Sequence, residues 1–130
     1  MLKIKIFNSF NKISSIEKEM LVNFLFQHLD EFGDKKEDIN KAVDYAITEN
    51  ANLPLNLSFG GFILFATEED KMVGAVVVNR TGMQGYIPEN ILVYIATHRD
   101  YRGKGVGKKL LQKAIDIAEG NIALHVESNN

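Results

Sequence analysis

The 130-residue chain reads as a mixed α/β fold whose elements run β-α-α-β-β-β-α-β. Three observations carry that reading. Residues 62–67 and 72–79 are apolar, β-rich runs joined by Glu68-Glu69-Asp70-Lys71, the layout of an antiparallel hairpin. Ser14-x-x-Glu17 is a capping box that opens a segment with helical spacing. A third apolar run, 90–97, passes through a basic turn punctuated by glycines and goes straight into a further amphipathic segment at 106–119.

Each element has its own local reason. Residues 3–7 alternate polar and apolar positions and predict a short first strand. The helix capped at Ser14 places Ile16, Met20, Leu21, Phe24, Leu25 and Leu29 on one face and is expected to end near Gly33. Asp34-x-x-Glu37 then caps a second helix with Ile39, Ala42, Val43, Ala46 and Ile47 as its buried stripe, and Pro54 lies beyond its end. Residues 52–61 mix leucines with turn formers, and 81–88 hold two glycines and a proline, so both read as loops. Gly120 stops the third helix, and 122–126 is the last strand.

Composition bounds the function. With 45% hydrophobic and 25% charged residues, the chain is one domain long and able to bury a working core. It contains no cysteine, which excludes a disulfide framework, a cysteine nucleophile and cysteine-based zinc sites. The histidines, at 28, 98 and 125, have no metal-ligand spacing, so no metal is expected. The start, Met1-Leu2-Lys3-Ile4-Lys5-Ile6, carries charges inside its apolar run, unlike a signal peptide. No apolar stretch reaches the roughly 18 residues a membrane span needs, and a cytoplasmic location is the expectation. A formal net charge of −2 argues against broad nucleic-acid binding.

The most informative stretch is Val93-Tyr94-Ile95-Ala96-Thr97-His98-Arg99-Asp100-Tyr101-Arg102-Gly103-Lys104-Gly105-Val106-Gly107-Lys108-Lys109-Leu110-Leu111. Glycines at 103, 105 and 107 remove side chains that would hold a ligand off the backbone, and they permit positive φ, so successive N–H groups can converge on one anion. The helix that follows adds its free N-terminal amides and the positive end of its dipole. Arg102, Lys104, Lys108 and Lys109 add full charges. Gly103-Lys104-Gly105-Val106-Gly107 is G-x-G-x-G, which fits neither the dinucleotide fingerprint nor a Walker A loop. The bland alternative is a glycine-rich connection that binds nothing.

Arg102-x-x-Gly105-x-Gly107, preceded by Ile95-Ala96-Thr97 and followed by Lys108-Lys109-Leu110-Leu111, closely resembles the acyl-CoA pyrophosphate signature Gln/Arg-x-x-Gly-x-Gly/Ala of the GNAT superfamily of N-acetyltransferases. The element order matches that fold up to its fifth strand. The resemblance implies acetyl-CoA as co-substrate and a primary amine, on a small molecule or a peptide, as acceptor. It implies that the pantetheine arm pairs with the backbone of Ile95, Ala96 and Thr97 between splayed fourth and fifth strands, where an N–H polarises the thioester carbonyl. It also implies that the segment of Arg102, Gly103, Lys104, Gly105, Val106, Gly107 and Lys108 takes the pyrophosphate, mostly through main-chain amides. Asn130 stands in the place of the family's asparagine after the fifth strand. The family's following helix, with its tyrosine, and two further strands have no counterpart before residue 130. A truncated chain or a partner-supplied surface is therefore expected, with self-association at the uncovered sheet edge.

Amine attack needs a neutral amine and hence a base. Glu89, at the start of the fourth strand, is the candidate; its alternative is a solvated glutamate in the turn after Pro88. His98 reads as an exposed loop residue, and His28 as surface or core packing. His125 either faces the pantetheine groove or the opposite side of the sheet. Tyr101 reads as packing on the turn and Tyr45 as helix surface. Asp30, Glu31, Asp34, Glu37 and Asp38 steer a cationic amine or serve as capping and solubility residues. Two other classes stay open: a non-catalytic acyl-CoA-binding module and a nucleotide-binding α/β domain.

Overall fold

The computed structural model describes residues 2–8, 11–29, 35–47, 61–80, 90–118 and 122–124. In chain order these hold β1 (Leu2–Phe7), α1 (Ser15–His28), α2 (Lys36–Ala46), β2 (Gly61–Glu68), β3 (Lys71–Arg80), β4 (Asn90–Thr97), a 3₁₀ turn (Arg99–Tyr101), α3 (Val106–Ile117) and β5 (Ile122–Leu124). The expected order is the observed one. The strands form one sheet, β1-β2-β3-β4-β5. β1 to β4 pair antiparallel and β5 lies parallel to β4, reached through α3 as a crossover. Among the described residues no helix is long and apolar enough to cross a membrane.

Helices cover both faces of the sheet, which is why β2 and β3 are apolar without a break. Ile63, Phe65, Ala75, Val77, Tyr94 and Ala96 pack with Leu21, Phe24, Leu25, Ile39 and Val43 of α1 and α2. Phe62, Leu64, Ala66, Val76, Val78 and Leu92 pack on the other face with Val106, Leu110 and Ala114 of α3. The β2–β3 hairpin turns through Glu69 and Asp70, with φ of 51° and 66°. Both central residues are left-handed, the backbone of a two-residue loop that matches strand twist.

Local signals and tertiary packing disagree at two helix starts. The Ser14 capping box forms in full: Glu17 N–H donates to Ser14 Oγ at 3.1 Å, and Ser14 N–H donates to Glu17 Oε1 at 3.0 Å. Ile16 and Met20, however, are 73% and 47% exposed. The buried face is Leu21, Val22, Phe24, Leu25 and His28, and at about 100° per residue Ile16 and Met20 lie roughly 140° and 100° around the helix from Leu21. α1 ends at His28 with Leu29 as its C-cap, earlier than expected. For α2 the N-cap is Lys35, without a side-chain cap, in place of the expected Asp34. Of its expected stripe, Ile39, Val43 and Ala46 are fully buried, and Ala42 and Ile47 are partly buried against them. α3 closes at Ile117, with Ala118 as its C-cap in extended geometry.

The capping box has a pH signature. Hydrogen bonds from the Ser14 backbone and side chain hold the Glu17 carboxyl below its usual range, with a smaller contribution from Lys5. A depressed carboxyl contributes stability that is complete above the unfolded value of about 4.3 and is lost as pH falls through the folded one. Ser14→Ala is expected to lower unfolding free energy by about 1 kcal/mol at pH 7, and by less at pH 3. Urea titrations at both pH values check this.

Candidate functional site

β4 carries the irregularity that shapes the site. Val77 pairs with Tyr94 and Val78 with Leu92, so Val93 is an extra residue, a β-bulge. The bulge switches the alternation: Leu92 packs towards α3, whereas Val93 and Tyr94 both pack towards α1 and α2. On the other edge of β4, β5 pairs with Asn90, Ile91 and Leu92. Among the described residues, that parallel pairing stops directly before the bulge. Ile95, Ala96 and Thr97 continue the strand beyond it, held on the far side by Val76, Ala75 and Gly74 of β3.

After Thr97 the chain turns sharply and is pinned at each step. His98 N–H donates to Val73 O at 2.8 Å, and His98 Nδ1 accepts from Asp100 N–H at 3.1 Å. Gly103 and Gly105 then take φ of 80° and 84°. A Cβ at either position would meet nothing within 4 Å, so the left-handed backbone presents an open face. Gly105 is the N-cap of α3, and the first helical bond runs from Lys109 N–H to Gly105 O at 3.1 Å. The amides of Val106, Gly107 and Lys108 precede the helical ladder and have no intrahelical acceptor. Gly107 matters for a different reason: a Cβ there would stand 3.3 Å from Thr97 Oγ1, so its absence lets the first turn of α3 approach the end of β4.

The electrostatics around this turn are positive. Lys104 and Lys71 hold their ammonium groups 5.1 and 5.6 Å from the centroid of the Tyr101 ring, a favourable cation–π arrangement. The first turn of α3 contains no acidic residue. Open left-handed glycines, free amides, a helix N-terminus and nearby cations together form a seat suited to an anion such as a pyrophosphate.

The structure brings the predicted residues 95–97 and 102–108 into one continuous strand, turn and helix start. Glu89, His125 and Asn130 lie outside the described residues, as do Asp30, Glu31, Asp34 and the loops at 52–60 and 81–89. The exposed position expected for His98 is corrected. Its side chain is only 18% exposed, and its ring lies 4.4 Å from that of His28, which also packs on Phe24 at 4.6 Å. Tyr101 packs edge-on against His98 at 5.6 Å, as expected for a residue seated on the turn. Tyr45 is a surface residue of α2 that donates its hydroxyl to Arg80 O at 2.6 Å. Lys71 was missed as a neighbour of the site. Its signal is in the register: Gly74 opposes Thr97, so the start of β3 overhangs the turn.

Among the described residues no group of three His, Cys, Asp or Glu side chains could hold a metal ion. A groove of about 330 Å³ lined by Ser15, Lys18, Glu19, Val22, Asn23 and Asn40 lies along the N-terminal half of α1, the opposite end from the helix's contact with the turn.

Comparison with known proteins agrees with this geometry. N-alpha-acetyltransferase 30 of Schizosaccharomyces pombe is 27% identical over 73 residues, 53% of this chain. The match covers 49% of the yeast protein, so this chain aligns with about half the length of that relative. The ribosomal-protein-S18-alanine N-acetyltransferase of Escherichia coli superposes with a TM-score of 0.64 at 16% identity, over 100% of this chain and 70% of that one. A GNAT family acetyltransferase of Staphylococcus aureus does so with a TM-score of 0.60 at 19% identity, over 99% and 89%. At these identities the two structures speak for the fold alone. The acetyltransferase (GNAT) family matches residues 23–130, and the chain belongs to that family.

Proposed function

We propose that the protein is an acetyl-CoA-dependent N-acetyltransferase that transfers the acetyl group directly to a primary amine. Members of the family use acetyl-CoA as co-substrate. The observation that carries the reading is the open turn at Gly103 and Gly105, both left-handed and free of neighbours where a Cβ would stand, leading into the unpaired amides of α3. The seat suits the pyrophosphate of CoA, held by the main chain of 103–108 with Lys104 and Lys108 nearby. Ile95, Ala96 and Thr97 would lie along the pantetheine arm, on the edge of β4 beyond the bulge.

When bound, acetyl-CoA supplies a thioester carbonyl as the electrophile. The protein's part is to orient it and to receive a proton. A backbone N–H of the 95–97 segment donates to the carbonyl oxygen as negative charge develops there. Glu89, four residues before the bulge, is the proposed base that takes a proton from the amine. Attack forms the C–N bond, and collapse of the tetrahedral intermediate breaks the C–S bond and releases CoA as its thiolate, which takes up a proton. No acyl-enzyme is required, in keeping with a chain that has no cysteine. The acceptor class stays at the level of a primary amine, on a small molecule or a peptide N-terminus. The yeast relative's name favours the latter.

Calorimetric titration with acetyl-CoA, CoA and ATP tests the reading. Both CoA species are expected to bind and ATP to bind far more weakly, and an amine screen followed by thiol release should then find an acceptor. Equal affinity for ATP would turn the seat into a general nucleotide site, and absence of CoA binding would overturn the assignment.

A further inference from the structure

The side chain of the signature arginine does not face the amide seat. Arg102 Nη2 donates to His28 O at 2.9 Å, and its Nε reaches Thr97 O at 3.4 Å. Arg99 Nη2 reaches Gln27 O at 3.4 Å. Gln27 and His28 are the last residues before the C-cap of α1, whose final carbonyls have no intrahelical donor. Two guanidinium groups from more than seventy residues away thus sit at the negative end of the α1 dipole, where a cation is favoured. α1 packs on one face of the sheet and α3 on the other. The Arg102 guanidinium therefore turns towards the α1 face, while the amides of residues 106–108 belong to the α3 end. The rings of Phe24, His28, His98 and Tyr101 touch in series beside the contact, the first three tilted and the last edge-on, so the junction is packed as well as charged.

We propose that Arg102, seconded by Arg99, is a positioning residue: it ties the turn at 98–105 to the C-terminus of α1 so that the amide seat is formed before any phosphate arrives. The idea rests on the acyl-donor reading of that turn. It extends that reading by giving the signature arginine a structural task and leaving phosphate contact to the main chain. A planar fork suits this role, because it can hold two carbonyls from different elements at once, which a lysine cannot do. Loss of the tie would loosen both the last turn of α1 and the seat.

Hydrogen exchange at the amides of residues 25–29 in the ligand-free protein, paired with CoA titration at two salt concentrations, separates the two roles. Arg102→Ala is expected to speed exchange there about tenfold, as loss of a charged cap should. CoA affinity should fall by a similar factor with its salt dependence unchanged. Arg102→Lys should restore little of the protection. Arg99→Ala, which loses the longer bond, should show the same change in smaller measure and keeps the test available should Arg102→Ala fail to fold. Parental exchange at 25–29 in the arginine variants would overturn the proposal. So would a flattened salt dependence with full rescue by lysine, since the guanidinium would then be touching phosphate itself. If the parent protein bound no CoA, the acetyltransferase reading would fail while the exchange comparison would still decide the tie.

Discussion

Gly105→Glu is expected to abolish CoA binding, lowering affinity by more than about 100-fold, while leaving the protein folded. The two effects separate because they have different causes. Gly105 has φ of 84°, so any L side chain there costs about 1–2 kcal/mol of left-handed strain. Nothing stands within 4 Å of the new Cβ, so there is no clash to add. A carboxylate at the N-cap of α3 also gains about 0.3–1 kcal/mol from the helix dipole, which offsets part of the strain. For the ligand the same carboxylate is doubly unfavourable. It fills the open face of the turn, and it places a negative charge where the pyrophosphate would sit. Two like charges about 4 Å apart near a protein surface repel by roughly 4 kcal/mol, which is close to three decades in affinity. Gly105→Asn separates shape from charge, because asparagine tolerates the left-handed region and is neutral. It should retain binding to within about tenfold of the parent, with Gly105→Ala between the two. Calorimetric titration and thermal melts of the three variants decide the matter. Parental affinity in Gly105→Glu would sink the site, and equal loss in all three would mean that backbone conformation, not charge, governs the seat.

That seat was legible in the sequence for a physical reason. Glycine spacing, basic residues and the step from a β-rich run to a helical period are all local, and they lie within residues 95–111. β2, β3 and β4 were legible to within a residue: β2 and β3 are buried on both faces and so are unbroken apolar runs, and β4, half-buried, is nearly as apolar. α1 was legible in its cap but not in its rotation. Ile16, Met20, Leu21, Val22, Phe24, Leu25 and Phe26 surround the helix, so periodicity alone could not say which of them face the sheet. Packing against the sheet and α2 selects Leu21, Val22, Phe24, Leu25 and His28, leaving Phe26 49% exposed. The bulge at Val93 was equally hidden, since residues 90–97 read as one uninterrupted strand. The ring stack of His28 on His98 joins residues seventy positions apart, and no local pattern announces such a contact. Arg102 illustrates the division well. Its place in the motif was legible; the direction of its side chain depended on where α1 ends.

The position of α3 on the sheet is the second large lever, because the helix start is half of the anion seat. Leu110 is fully buried, and a Cβ added at Gly74 would come within 2.6 Å of its Cδ1 and 3.0 Å of Val106 Cγ1. The side chains of Leu110 and Val106 therefore fill the space above Gly74, which an added methyl group would have to share. Leu110→Ala is expected to cost about 2–5 kcal/mol, from lost burial and from the cavity left beneath the helix. Gly74→Ala alone should cost about 1–3 kcal/mol by overpacking against Leu110 and Val106. The double variant should cost less than the sum by about 0.5–3 kcal/mol, because the methyl at 74 enters room that the leucine has vacated. Urea denaturation of the four proteins measures this coupling, and strict additivity would contradict the packing described. CoA affinity adds a functional readout. Gly74→Ala pushes outward on Val106, the first residue of α3, and so should weaken CoA binding as well as stability. Leu110→Ala removes support one turn further along and should reduce stability more than affinity. The opposite ranking would mean that the seat takes its shape from the turn alone, with the helix merely following it.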